Sequence, residues 1–170
     1  MRRMALARRP DDPDSARIRA LKLLERRPQS IGEMRRKLKE RGFTVAAVHE
    51  AVERLKQAGL LDDERFARDF ASMRAAMKPQ GRRALVMKLM AHGVARELAA
   101  AAAEEALAGR DEAELAEEAA RKWAKRLRGR ELDDRVRKRL EGHLLRRGFG
   151  WNSVSKALRK LGAEDVEGND

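Results

Sequence analysis

The chain has 170 residues, of which 40% are charged and only 4% aromatic, and it carries a net charge of +12 at pH 7. It contains no cysteine, which excludes disulfides and thiolate metal sites, and no apolar run approaches the ~20 residues that span a membrane. So few large apolar side chains exclude one thick core. The wealth of Ala, Leu, Glu, Lys and Arg, without runs of Val, Ile, Thr or Tyr, points to an all-α protein built in thin layers.

Residues 1–14, rich in arginine, aspartate and proline, are expected to form a disordered basic arm. Ser15 is the expected N-cap of a first helix that runs to about Arg27, buries Ile18, Leu21 and one of Leu23 and Leu24, and closes at Pro28. Ser30 and Glu33 form a capping-box pattern, in which Ser accepts from the N3 amide and Glu reaches back, opening a second helix to Arg41. Gly42 ends that helix, Phe43 folds back as an anchor, and Thr44 caps a third helix with Val48, Ala51, Val52 and Leu55 as its apolar stripe. Asp62 and Asp63 open a fourth helix, whose buried face is expected at Phe66, Phe70, Met73 and Met77. Pro79, Gln80 and Gly81 break the chain. A fifth helix, about 82–92, turns Leu85 and Leu89 inward, with Val86 and Met90 as further candidates. The sixth, about 94–108, carries the alanine run 99–103, which either lets helices approach closely or packs weakly. A seventh helix begins near Asp111 and presents Ala116, Ala119, Ala120, Trp123 and Leu127, with Gly129 interrupting it. The eighth is expected from about Leu132 to Arg147, and the ninth from about Asn152 to Leu161, where Gly162 stops it before a loose acidic tail, 163–170.

A frame shift of 106 residues, without a gap, lays Leu140, Leu144, Arg147, Gly148, Phe149, Val154 and Ala157 on Met34, Leu38, Arg41, Gly42, Phe43, Val48 and Ala51. A shift of 51 gives a weaker copy through Leu85, Leu89, Gly93 and Val94. The chain therefore divides into three tandem three-helix repeats, 15–60, 61–109 and 110–162, in an elongated array instead of one globular core.

No convergent reactive cluster is legible. His49, His92 and His143 stand apart, with no HxxxH or HExxH pair among them, and no nucleotide-binding glycine motif occurs. Adjacent aspartates on a helix diverge, so Asp62 and Asp63 read as caps ahead of a metal or acid–base pair. Gln80 to Arg83 reads either as a phosphate grip at a helix start or as a structural turn beside basic surface. Trp123 lies at core spacing, whereas Trp151 is open to either core or base stacking. The cations cluster off the apolar stripes, mainly on the second helix of each repeat. The candidate binding face is Arg35, Arg36 and Lys39, then Arg82, Arg83 and Lys88, then Arg135, Lys138, Arg139 and Arg146.

The run 55–67, LKQAGLLDDERFA, with Asp62, Asp63 and Phe66, resembles the RecX family of bacterial recombination regulators. The likeness continues through the Gly81 turn, the Gly93 break and the Arg-Gly-Phe turns that contain Gly42 and Phe43 and Gly148 and Phe149, and covers about residues 15–161. It implies a curved array and a partner, the RecA recombinase filament on single-stranded DNA, whose ATP hydrolysis, strand exchange and co-protease action such proteins restrain in recombination, repair and the SOS response. It implies no cofactor and no enzyme activity of this chain, and a cytoplasmic monomer with no membrane partner. Free DNA is a further candidate partner. The alternative from the residues alone is a helix-turn-helix protein that binds DNA without RecA, for which Asn152, Ser153 and Ser155 are the only base-reading set. A pure protein scaffold for an acidic partner is the third class.

Overall fold

Side-chain caps decide where the helices of this computed structural model begin, and it describes residues 9–127 and 133–167. Asp12 accepts from the Asp14 amide and starts α1, Pro13–Leu24, with proline in the first turn, where its missing N–H is not needed. Ser30 starts α2, Ile31–Lys39, and Thr44 starts α3, Val45–Gln57. Asp62 accepts from the Glu64 and Arg65 amides at 2.8 and 3.0 Å and starts α4, Asp63–Met77. Gly81 and Ala95 precede α5, Arg82–Ala91, and α6, Arg96–Leu107, without a side-chain cap. Asp111 caps α7, Glu112–Ala124, which runs into a 3-10 turn, Lys125–Leu127. Asp133 accepts from the Val136 amide at 2.7 Å and starts α8, Asp134–Arg146, and α9 spans Trp151–Glu167. All regular structure among the described residues is helical, and no described helix is long and apolar enough to cross a membrane.

Several expectations give way. The first helix is capped three residues before Ser15, by Asp12, to which the Ser15 hydroxyl donates instead of capping. Its buried face is Ala16, Ala20 and Leu23, which pack in the first core, and Ile18 is 51% exposed. Glu33 does not close a capping box: Ser30 accepts its amide at 3.0 Å, but the carboxylate turns to Arg27, Lys37 and His92. On α4 the buried positions are Phe66, Ala67, Ala71 and Ala75, with Phe70 half-buried, whereas Met73 and Met77 are 51% and 63% exposed. Beyond Phe66 and Phe70 the alanines, not the methionines, face the core. Met90 is likewise exposed and Val86 half-buried. The arm is ordered at least from Arg9, for the Pro10 carbonyl accepts from the Thr44 amide at 2.8 Å; its residues 1–8 lie outside the described residues, as do Gly129 and Leu132. Helix α9 starts at Trp151, continues past Gly162 and ends at Glu167, five residues into the expected tail.

Three separate apolar clusters hold the helices in threes. The first joins α1, α2 and α3 around Met34, Leu38, Phe43, Val52 and Leu55. The third joins α7, α8 and α9 around Leu115, Leu140, Leu144, Phe149 and Leu158. The middle one joins α4, α5 and α6 around Phe66, Leu89 and Val94, and is otherwise largely alanine: Ala67 and Ala71 on α4, Ala99 and Ala102 on α6. The alanine run thus serves close approach of α4 and α6. Each methylene absent there forgoes ~0.8 kcal/mol of burial, so the middle unit leans most on its neighbours.

Those neighbours meet at two joints, each formed by a helix start of one unit closing on the glycine turn of the next. In the first joint the Ser30 hydroxyl donates to the His92 carbonyl, and Asp63 accepts from the Ile31 amide at 2.8 Å. Gly32 meets Gly93 there, and a Cβ on Gly32 would stand 2.6 Å from the Gly93 oxygen. In the second, the Gly81 amide donates to the Arg147 carbonyl at 2.9 Å, and Arg147 donates back to the Pro79 carbonyl at 2.8 Å. A Cβ on Gly81 would stand 2.1 Å from the Gly148 oxygen, so only glycine lets the backbones this close. One internal brace repeats: Lys37 donates to buried Gln29, and Lys88 to buried Gln80.

Candidate functional site

The sequence-derived basic residues divide into three environments. On α2, Arg35 pairs with Glu53 at 3.4 Å and Arg36 with Glu40 at 3.7 Å, while Lys39 is exposed with no carboxylate partner among the described residues. On α5, Arg82 pairs with Glu104 at 2.9 Å and Arg83 stands exposed without such a partner. Lys88 departs from the expectation of a surface cation: it is half-buried, bonded to Gln80 in the second joint. Its ammonium is pushed below the usual lysine value by burial and by Arg74, Arg147 and Lys78.

On α8 the charges are concentrated. Arg135, Lys138, Arg139 and Arg146 recur at i, i+3, i+4 and i+11, within about 100° of the helix circumference, away from the buried stripe Val136, Leu140 and Leu144. All four are exposed, and none has a carboxylate partner among the described residues. With Trp123, Asp134, Gly142 and His143 they line a cleft of about 700 Å³. Trp123 packs partly on the third core, as its spacing led us to expect, but its other side lines this cleft. Its ring lies 6.3 Å from that of His143, tilted by 39°. A smaller recess of about 210 Å³ on the far side of these two rings is lined by Lys78, Lys122, Arg126 and Arg147. His143 accepts from Arg147 Nε at 3.0 Å. Burial and the charges of Arg147, Arg146 and Arg126 hold its pKa below the ordinary imidazole value, so the ring is neutral at pH 7.

The remaining motif residues serve architecture. Gly42, Gly93 and Gly148 take φ of +86°, +84° and +80° at the helix ends, with Phe43, Val94 and Phe149 buried after them. Asp62 caps α4 and Asp63 ties the first joint, its carboxyl pushed up by burial. Phe66 stacks on Phe70 at 5.9 Å, and both rings meet His92 edge-on at 5.7 and 4.9 Å. These rings line an apolar groove of about 900 Å³ between the first two units, with Leu24, Leu60 and Met73. Sequence reasoning missed this groove, because its residues come from separate elements and Met73 looked like core. Among the described residues no cluster of three His, Asp or Glu side chains could hold a metal ion. The helix-turn-helix reading loses one of its base readers: Ser153 is buried and donates to Glu112 at 2.9 Å. Trp151, 58% exposed at the start of α9, is not core.

Models of the first, second and third three-helix domains of RecX match residues 16–55, 62–102 and 110–158, in that order. The sequence is 38% identical over 151 residues to the regulatory protein RecX of Pelodictyon phaeoclathratiforme, covering 87% of this chain and 91% of that one. It is 35% identical over 157 residues to its counterpart in Mycobacterium sp., covering 88% and 81%. The fold is similar to the crystal structure of RecX from Lactobacillus salivarius, with a TM-score of 0.68, 19% identity and coverage of 88% of this chain and 96% of that one. It is also similar to a crystal structure of regulatory protein RecX, with a TM-score of 0.69, 21% identity and coverage of 84% and 71%.

Proposed function

Because the chain belongs to the RecX family of regulatory proteins, we propose that it binds the RecA filament on single-stranded DNA in the cytoplasm and restrains the recombinase. On this reading it is an accessory factor: RecA hydrolyses the ATP, and this protein lowers that hydrolysis, strand exchange and co-protease cleavage, moderating recombination and the SOS response. The observation that carries the reading is the match of all three family domains in order along one chain. The architecture is in keeping with it. Three small cores joined end to end expose far more surface per residue than one bundle of the same mass, as a side-binding regulator of a polymer requires. Cations without partners on α2, α5 and α8 supply attraction to a nucleoprotein.

The test is RecA ATPase on single-stranded DNA with the protein added in increasing amounts. The expected result is loss of hydrolysis at fewer than one molecule per RecA protomer. Unchanged hydrolysis and strand exchange at equimolar protein would overturn the reading.

A further inference from the structure

We propose that the cleft on the outer face of α8 is a binding site for the backbone of a single nucleic-acid strand, with Trp123 as the surface on which a base or sugar packs. The proposal rests on the reading above, that the protein meets a nucleoprotein filament, and gives that contact a place in the third unit.

The first support is what this face is elsewhere in the molecule. Under the 106-residue frame, Gln29, Ser30, Gly32, Glu33 and Lys37 fall on Arg135, Val136, Lys138, Arg139 and His143. Ser30, Gly32 and Glu33 of the former set touch the second unit, beside the Lys37–Gln29 brace, and on α5 Gly81 closes on the third, beside the Lys88–Gln80 brace. On α8 the counterparts of Gln29, Gly32, Glu33 and Lys37 line the open cleft, while Val136, the counterpart of Ser30, is buried. The residues that make a joint are gone. The Pro-Gln pair has become Asp134 and Arg135, Val136 replaces Gly81, and Lys138 replaces Gly32. Each joint keeps one glycine at the approach, Gly32 in the first and Gly81 in the second, where a Cβ would lie 2.6 or 2.1 Å from the incoming turn; α8 has neither, so the close backbone contact of the two joints is not open to it. The face is kept open and has changed its chemistry from backbone docking to cation display.

The second support is charge. Of the six candidate cations on α2 and α5, three are neutralised by Glu53, Glu40 and Glu104. The four on α8 share one face with a single lining carboxylate, Asp134. Like charges held this close repel until a polyanion spans them, and its condensed counterions are then released. From Arg135 to Arg146 the stripe runs about 16 Å along the helix, longer than a single small anion and suited to successive phosphates. The third support is Trp123. It stands with neutral His143 between the cleft and the recess lined by Lys78, Lys122 and Arg126, so aromatic surface interrupts the cations. Splayed bases of a single strand reach such a surface, whereas those of a duplex stay stacked.

The test uses the full chain with Trp151→Phe, which leaves Trp123 as the sole tryptophan, and a fluorescein-labelled oligo(dT). Oligo(dT) is expected to quench Trp123 and to bind with a negative salt slope. Lys138→Gln with Arg139→Gln is expected to reduce that slope by about 1.4, at roughly 0.7 per single-strand contact, and to weaken binding at least tenfold at low salt. Lys22→Gln with Arg26→Gln, exposed near the end of α1 and outside the candidate binding face, serves as the comparison and is expected to leave more than half the affinity. Absence of oligo(dT) binding, an unchanged slope in the α8 variant, or quenching by polyglutamate but not by oligo(dT) would each overturn the proposal. The last result would assign the cleft to an acidic protein. RecA ATPase, run on the same variants, separates the two readings. Inhibition by a protein whose α8 variant still binds oligo(dT) normally defeats the cleft alone. Binding through α8 with no effect on RecA defeats the regulator alone.

Discussion

Gly81→Ala is the sharpest test of how the units are joined. The substitution suits the local backbone, which is extended with φ of −78°, so any cost arises across the joint. The added methyl would lie 2.1 Å from the Gly148 oxygen, 2.4 Å from its carbonyl carbon and 2.6 Å from the Phe149 nitrogen. All three are backbone atoms of a buried turn, which no rotamer change can move aside. Restoring ordinary contact requires the two units to part by more than 1 Å, which breaks the 2.9 Å bond from the Gly81 amide to the Arg147 carbonyl. Leaving those groups without partners costs roughly 1–3 kcal/mol, and weakening the charged bond from Arg147 to Pro79 adds about 1–2 more. The expected loss is therefore about 2–5 kcal/mol at the joint, with all three cores intact. Circular dichroism should report unchanged helix content, small-angle scattering a larger radius of gyration, and thermal unfolding an early transition from the alanine-rich middle unit. An unaltered radius of gyration together with an unaltered melt would refute the claim that this glycine sets the joint.

Other outcomes follow from the same coordinates. Burial alone would raise the Glu33 carboxyl, but hydrogen bonds from Arg27 and Lys37, the Lys37 charge and the His92 contact outweigh it and bring its pKa down to about 2. A carboxylate depressed from 4.5 to about 2 adds on the order of 3 kcal/mol above pH 4.5 that is lost as pH falls towards 2. Acid titration of stability should show this loss in the parent protein and a flatter curve in Glu33→Gln. Asp63→Ala removes the acceptor of the Ile31 amide and should cost about 1–2 kcal/mol in urea unfolding, whereas Asp63→Asn should recover part of it; equal stability of the two would remove Asp63 from the joint. Gly162 lies inside α9 with open space where a Cβ would go, so Gly162→Ala should raise stability by about 0.5–1 kcal/mol, visible as a higher melting temperature.

The helix content and the grouping in threes were legible because the apolar stripe of the second and third helices repeats with its glycine turn. Met34, Leu38, Val48, Ala51, Val52 and Leu55 are all buried, as are their counterparts on α8 and α9. The phases of α1 and α4 were legible only in part, at Leu23 and at Phe66 and Phe70. In α4 the larger residues Met73 and Met77 mark the right period but the wrong face, because close approach to α6 selects Ala67, Ala71 and Ala75. Spacing alone cannot tell a face that buries volume from one that admits a neighbouring backbone. The basic residues were legible as a set but not by environment. Whether an arginine is neutralised depends on a glutamate on another helix, as with Arg82 and Glu104, and nothing local records that. The Lys37–Gln29 and Lys88–Gln80 braces did leave a trace, for Pro-Gln recurs at 28–29 and 79–80 with lysine eight positions after each glutamine.

Each apolar cluster is drawn from one stretch of chain, the first from residues 16–61 alone, and this governs how the molecule is made. Contacts between residues near in sequence lower the entropy of loop closure and speed folding. During synthesis the amino-terminal unit has every partner it needs before the last has left the ribosome. The poorly filled middle bundle then gains the Arg147 carbonyl as acceptor for its Gly81 amide only when the carboxy-terminal unit appears, so assembly proceeds in one direction and the seam between these two is the last to close.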